Sequence, residues 1–269
     1  MSATRTDDSL PEPPAAGLEL ALPPRRCGAG EGWTWIAEGW KLFAKAPLMW
    51  IVAILLVIVL AIIVSLVPFI GSLAVQVLNA AIGAGFMVAC RSLETGGDFE
   101  LEHLFAGFKR HFGGLVAVGL ITLAGSIAIL VACAGIVGFS ILGAALSGNA
   151  HDVAAAVMSS AMSIVLAGLL ALALMVPLFA AYWFAPALVI MHGLGPVEAM
   201  KESFVGCMRN LVPFLVYGIV MALFAIIAAI PFGLGYLVWV PVTIASTYAS
   251  YRGIFTRDAA PSPATAMVA

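Results

Sequence analysis

Long apolar runs alternate with short polar segments along the chain. Each run is close to the roughly 20 residues that an α-helix needs to cross the hydrocarbon core of a bilayer. The runs lie at about residues 48–66, 71–89, 115–139, 163–191, 211–230 and 236–251. Pro177, Pro186 and Pro241 predict bends in the fourth and sixth runs. The pattern predicts an all-α transmembrane bundle of six spans.

Three shorter segments are amphipathic at helical spacing and carry too many charges to span the membrane. They cover about residues 32–46, 98–112 and 196–210. In the first, the apolar stripe consists of Trp33, Ile36, Trp40 and Phe43. Such helices lie in the membrane interface, where aromatic rings suit the headgroup layer. The expected interfacial anchors of the three helices are Trp33, Trp40, Phe108 and Phe204.

The third amphipathic segment shows this pattern most clearly. Gly193 and Gly195 interrupt the preceding apolar run, and Pro196 suits the first position of a helix. The apolar stripe consists of Val197, Met200, Phe204, Met208 and Leu211. We expect this stripe to face the bilayer or the bundle, with Phe204 as the anchor. Both an ordinary connecting helix and a lipid-sensing helix fit the pattern.

The chain repeats this arrangement three times, and its charges give it an orientation. Each repeat consists of one amphipathic helix followed by two spans. With six spans, all the basic residues fall on the side of the amphipathic helices and of both termini. By the positive-inside rule that side is cytoplasmic, so the three amphipathic helices and both termini are predicted to be cytoplasmic. The predicted domains are a disordered tail at 1–30, a transmembrane domain at 31–255 and a second disordered tail at 256–269.

The composition agrees with a membrane protein and excludes other classes. Apolar residues make up 63% of the 269 residues, against roughly 45–50% in soluble domains. The net charge is −2 and no long basic run is present, which argues against nucleic acid as a partner. The four cysteines lack paired metal-binding spacing, so we expect no metal, disulfide or cofactor.

Three segments resemble a known group of proteins. They are FAPALVIMHGLGPVEAMKESFVGCMRNLVPFLVYG, GWTWIAEGWKLF and HLFAGFKRHFG, and they resemble a family of uncharacterised six-span inner-membrane proteins of proteobacteria. The resemblance covers most of residues 31–255 and implies a location in the bacterial inner membrane. In one motif, Glu198-Ala199-Met200 followed by Ser203-Phe204 and Arg209-Asn210, the chain is also distantly similar to the membrane domain of some glycerophosphodiester phosphodiesterases. Neither resemblance supplies a catalytic residue.

The leading functional hypothesis is a non-enzymatic inner-membrane protein that acts through contacts with lipids, a membrane-protein partner or a second copy of itself. Six basic residues on the amphipathic helices would form a rim that faces anionic lipid headgroups. The candidate rim residues are Lys41, Lys45, Lys109, Arg110, Lys201 and Arg209. Ordinary positive-inside charges without lipid specificity fit the same pattern.

The alternative is a small transporter or channel with a cavity near the bent fourth and sixth spans. Its candidate polar lining is Gln76, Asn79, Tyr182, Thr243, Ser246 and Thr247. Ion-coupled carriers place ionisable residues within the membrane, and the predicted spans contain no such residue. No HExxH or GxSxG motif and no paired intramembrane carboxylates occur, so we expect no enzymatic activity.

Overall fold

The computed structural model describes residues 18–68, 70–146 and 153–258. Within those ranges the chain is almost entirely helical. The helices are α1 (Glu31–Lys45), α2 (Pro47–Ser65), α3 (Ile70–Glu94), a 3₁₀ helix (Leu101–Phe105), α4 (Ala106–Lys109), α5 (Phe112–Leu146), α6 (Val153–Trp183), α7 (Ala185–His192), α8 (Pro196–Arg209), α9 (Leu211–Ala229) and α10 (Tyr236–Phe255). Two short strands, β1 (Leu18–Leu20) and β2 (Thr256–Asp258), complete the fold.

Five stretches of the described helices are long and apolar enough to cross a membrane. They are Pro47–Ser65, Leu73–Glu94, Phe112–Phe139, Ala161–His192 and Leu211–Ala229. These stretches match the first five predicted spans, and the predicted all-α membrane bundle is confirmed. The sixth predicted span coincides with α10, whose hydroxyl side chains and Arg252 make it less apolar than the others.

The fourth predicted span is broken near its end. Helix α6 passes through Pro177 and ends at Trp183, and α7 starts two residues later with Pro186 in its first turn. Because proline cannot donate a backbone hydrogen bond within a helix, the break falls just before Pro186. Helix α7 ends at His192 and is capped by Gly193, whose φ of 66° is left-handed and suits glycine.

The segment between α3 and α5 differs from the single amphipathic helix that the sequence predicts. It consists of the 3₁₀ helix and the four-residue α4, with a left-handed φ of 52° at His111 before α5. The 3₁₀ helix is capped by Glu100, whose side chain accepts a backbone hydrogen bond while His103 reaches back to the Glu100 N–H. This capping starts the helical segment at residue 101, three residues after the start that the sequence predicts.

Residues 18–30, which the sequence assigns to a disordered tail, are part of the packed protein. Strand β1 pairs with β2 in antiparallel register, Leu18 opposite Asp258 and Leu20 opposite Thr256. Asn210 accepts a hydrogen bond from the Cys27 N–H at 2.7 Å and donates to the Arg25 carbonyl at 2.9 Å. Through these two hydrogen bonds the backbone N–H of Cys27 and the backbone carbonyl of Arg25 have partners within the protein. Residues 1–17 and 259–269 of the predicted tails lie outside the described residues.

The buried faces of α1 and α8 are rotated from the predicted apolar stripes. Trp33 and Trp40 are 54% and 52% exposed, and Val197 is 68% exposed. The buried positions of α1 are Gly32, Trp35, Ile36, Gly39, Leu42 and Phe43, and those of α8 are Ala199, Met200, Ser203, Gly206 and Cys207. Small residues dominate the buried face of α8 because they let helix backbones approach closely, and lipid covers large apolar side chains equally well.

The three repeats interlock in a cycle. Helix α1 packs on α9 and α10, the 3₁₀ helix and α4 pack on α3, and α8 packs on α6 and α7. Each amphipathic segment therefore packs on the spans of another repeat, the first on the third, the second on the first and the third on the second. The arrangement places the second spans of all three repeats, α3, α6 with α7, and α10, around the centre of the bundle.

Candidate functional site

A cavity of about 580 Å³ lies between helices of all three repeats. Helices α2 and α3 of the first repeat form one side, α6 and α7 of the second form another, and α10 of the third closes it. Gly83 on α3 lines the cavity, and a Cβ atom placed there would meet no heavy atom within 4 Å. The missing side chain at Gly83 and the helix break before Pro186 both leave space at this point.

The lining is apolar except for the indole N–H of Trp183 and four polar side chains. These are Asn79, Tyr182, Thr243 and Thr247, which are four of the six residues that the sequence proposes for such a cavity. The Asn79 amide donates to the Tyr182 hydroxyl at 3.2 Å and joins α3 to α6. Thr243 and Thr247 donate to the carbonyls of Trp239 and Thr243 within their own helix, at 2.8 and 2.9 Å. The oxygens of these hydroxyl groups remain able to accept hydrogen bonds.

The other two candidates lie elsewhere. Gln76 is exposed, one helical turn before Asn79, and does not line the cavity. Ser246 is fully buried, and its hydroxyl lies 3.0 Å from that of Tyr217 on α9. It does not line the cavity because α1 covers it, and a Cβ atom at Gly39 of α1 would lie 2.8 Å from the Ser246 Cβ.

A polar cluster follows the cavity residues along α3, α7 and α10. Glu94 forms ion pairs with Arg91, at 3.0 Å, and with Arg252, and it accepts a hydrogen bond from the Tyr248 hydroxyl at 2.6 Å. The Tyr251 hydroxyl lies 2.6 Å from Nε2 of His192. The six residues of this cluster follow cavity-lining residues along the same helices, so the cluster lies beyond one end of the cavity.

Sequence reasoning missed this cluster, although part of its signal was present. Arg91 and Glu94 are three apart on a helix, a spacing at which opposite charges pair. Nothing in the local sequence links them to Arg252, which lies 158 residues from Glu94. The interlocked repeats bring the two helices together.

The six residues of the predicted basic rim have different surroundings in the structure. Lys45 donates to the Leu93 carbonyl at 2.6 Å, and Arg209 donates to the Pro24 carbonyl at 3.0 Å. Lys109 pairs with Glu102 and lowers the pKa of that carboxyl group. Lys41 and Lys201 are exposed, and Arg110 is half-buried. Of the predicted anchors, Trp33 and Trp40 are exposed whereas Phe108 and Phe204 are half-buried against the core.

The helices and their apolar surfaces define an integral membrane protein of the all-α class. The chain is 33% identical over 210 residues to a probable inner membrane protein of Burkholderia thailandensis. The matched region covers 69% of this chain and 76% of that relative. The chain therefore belongs to the family of that inner-membrane protein, and its place is the inner membrane. No protein-family model matches the chain, and no solved structure matches it.

Proposed function

We propose that the protein binds a mainly apolar molecule of the bilayer, such as a lipid chain with one polar group, in the cavity between the three repeats. The observation that carries this proposal is the lining itself. The volume of about 580 Å³ falls within the roughly 300–1,000 Å³ typical of ligand pockets. Asn79, Tyr182, Thr243, Thr247 and the indole N–H of Trp183 are its polar groups, and the lining contains no acidic side chain, lysine, arginine or histidine. A hydrophilic ion would find no compensating charge there.

The test is to fill the cavity without disturbing the packing. In Gly83→Leu the new side chain enters open space, and leucine favours a helix more than glycine does. We expect the wild-type protein to keep bound lipid through detergent purification, and Gly83→Leu to lose most of it, as measured by native mass spectrometry. The matched control is Gly168→Leu on α6, where a Cβ atom also meets nothing within 4 Å and no described cavity is involved. Equal lipid retention in all three proteins would contradict the proposal.

A transporter is the second candidate, and the break between α6 and α7 favours it. The break adjoins the cavity, and the Glu94 cluster lies beyond one end of it. Transport requires the cavity to open to both sides in turn. In a cysteine-free background, Thr243→Cys should then react with a membrane-impermeant maleimide from either side of the membrane. If the cysteine reacts from neither side, the result argues against transport and leaves lipid binding as the proposed function.

The topology that fits both candidates has six spans, with α10 as the sixth. Because β1 and β2 pair, the described ends of the chain lie together, and an even number of crossings brings both ends to one side. The basic residues on the amphipathic segments make that side cytoplasmic by the positive-inside rule. A C-terminal green fluorescent protein should fluoresce and a C-terminal alkaline phosphatase should be inactive. The reverse result would overturn this orientation.

A non-enzymatic role is part of the proposal. A buried polar pocket shared by Glu198 and His192 would favour an enzyme, but Glu198 is exposed and the Nε2 atom of His192 contacts the Tyr251 hydroxyl. The similarity to the membrane domain of glycerophosphodiester phosphodiesterases stays a prediction that rests on one motif. Contacts with a membrane-protein partner or a second copy also stay predictions, and cross-linking in native membranes followed by mass spectrometry would test them.

A further inference from the structure

A second apolar space lies on the outside of the bundle, where α1 crosses α9 and α10. This groove has a volume of about 640 Å³. Trp33, Trp40 and Lys41 of α1 lie at one end, and Pro231 and Gly235 of the turn after α9 lie at the other. From Met221 to Ala228, both in the lining, α9 rises about 10 Å. The groove is therefore comparable in depth to one leaflet, which is about half of the roughly 30 Å hydrocarbon core.

The position of α1 explains why the groove exists. A Cβ atom at Gly32 would lie 2.3 Å from the Pro213 carbonyl oxygen, and one at Gly39 would lie 2.6 Å from the Ser246 nitrogen. These close contacts hold α1 across the start of α9 and against α10. The indole N–H of Trp239 donates to the Met221 carbonyl at 2.9 Å and ties α10 to α9 on the groove wall.

The polar end of the groove has the chemistry of a headgroup site. Lys41 is the one charged residue of the lining, and among the described residues it makes no ion pair or hydrogen bond. Glu38, one turn earlier on α1, is exposed and lies beyond ion-pair distance of Lys41. The exposed rings of Trp33 and Trp40 flank the same end, and indole rings favour the headgroup layer. A lysine ammonium group attracts phosphate as a point charge.

A third apolar space supplies a comparison within the same chain. It has a volume of about 520 Å³, lies between α6, α8 and α9, and includes Trp183 and Phe214 in its lining. No charged side chain lines it. Both grooves can accommodate acyl chains, but only the groove at α1 combines an acyl-chain surface with an unpaired cation.

We propose that the groove between α1, α9 and α10 binds an anionic phospholipid from the leaflet that contains α1. One acyl chain lies along α9 and α10, and the phosphate lies at Lys41 between the two tryptophan rings. This site is separate from the central cavity. It selects the lipid by charge, whereas the central cavity selects by apolar volume.

The test compares two lipids and two lysines. The protein is reconstituted in nanodiscs of mixed phosphatidylglycerol and phosphatidylcholine, and the lipids retained after extraction are counted by native mass spectrometry. We expect the wild-type protein to retain phosphatidylglycerol preferentially and Lys41→Gln to reduce this preference about fivefold, the effect of one basic residue near an anionic headgroup. The control is Lys201→Gln, an exposed lysine of α8 outside the lining of all three spaces.

A third variant separates the groove from general surface charge. Ala37 lines the groove, so Ala37→Phe should reduce the retention of both lipids, whereas Gly83→Leu in the central cavity should leave the preference for phosphatidylglycerol unchanged. Equal effects of Lys41→Gln and Lys201→Gln would overturn the proposal and point to diffuse electrostatic attraction. An unchanged preference in Lys41→Gln would overturn it as well.

Discussion

The two sides of the amphipathic helices α1 and α8 differ in which residues make the closest backbone contacts. The inner sides contain small residues, among them Gly32 and Gly39 on α1 and Ser203 on α8, and on α1 these lie beside large buried residues such as Trp35 and Phe43. The outer side of α1 contains large aromatic residues, with Trp40 about half exposed, and Phe204 on α8 is only half-buried. In a membrane, lipid chains are as apolar as leucine, so burying a large side chain in protein gains little. Close backbone approach between helices becomes the main source of specific packing.

The same kind of residue pair, a small residue followed by an aromatic one, occurs in each repeat. A small residue precedes the aromatic anchor in Gly39-Trp40, Gly107-Phe108 and Ser203-Phe204. Each small residue contacts the second span of another repeat. The contact residues are Ser246 for Gly39, Ala81 for Gly107 and Ala180 for Ser203. The small residue thus sets the position of the helix, and of the aromatic residues beside it Trp40 is exposed whereas Phe108 and Phe204 are half-buried.

The largest effect is expected from enlarging the small residue. In Gly39→Leu the side chain would collide with the Ser246 backbone, because even a Cβ atom comes within 2.6 Å of the Ser246 nitrogen. Helix α1 must then separate from α10, at a cost toward the upper end of the roughly 1–3 kcal/mol typical of overpacking. The measurement is the unfolding free energy in detergent.

Gly168→Leu provides the control for this comparison. The glycine lies within α6 and has open space around its Cβ position, so the substitution should be neutral or slightly stabilising. If Gly39→Leu proved as stable as Gly168→Leu, the close contact of α1 with α10 would not determine the fold.

A smaller effect is expected where a small polar residue holds the contact. The Ser203 hydroxyl donates to the Ala180 carbonyl at 2.7 Å and accepts from the Phe184 N–H at 2.9 Å, at the break between α6 and α7. Ser203→Ala leaves that buried N–H without a partner, which costs roughly 1–3 kcal/mol. Ser203→Thr, which keeps the hydroxyl, should restore part of the lost stability if its methyl group fits. Hydrogen exchange at the Phe184 amide would report the loss directly, and unchanged exchange would count against this role.

The sequence predicts the helices well because their signals are local. The lengths of the apolar runs, Gly193 before Pro196 and the two prolines of the fourth span all act within a few residues. The sequence does not decide which side of α1 and α8 faces the protein, because a stripe of large apolar residues marks the lipid side as readily as the protein side. The packing of residues 18–30 depends on Asn210, which is more than 180 residues away.

The candidate site was predictable in part. Polar side chains in apolar runs are few, so Asn79, Tyr182, Thr243 and Thr247 stand out, and they share one cavity. The cavity itself and the Glu94 cluster depend on how the three repeats interlock. No single repeat contains that information. The groove at Lys41 likewise requires knowing that α1 of the first repeat lies on α9 and α10 of the third.

The smallest effect is expected from truncating an outward aromatic residue. A fully buried phenylalanine loses roughly 3–5 kcal/mol on replacement by alanine. Phe204 is half-buried and packs against the edge of the core, so Phe204→Ala should cost well under that range, because lipid chains cover the surface that remains. The predicted order of destabilisation is therefore Gly39→Leu, then Ser203→Ala, then Phe204→Ala.

Cysteine labelling in a cysteine-free background tests the positions of the two sides of α8. Lys201→Cys, on the exposed side of α8, should react quickly with a membrane-impermeant maleimide, whereas Phe204→Cys should react slowly. Rapid reaction at both positions would place Phe204 in water and remove its role as an interfacial anchor.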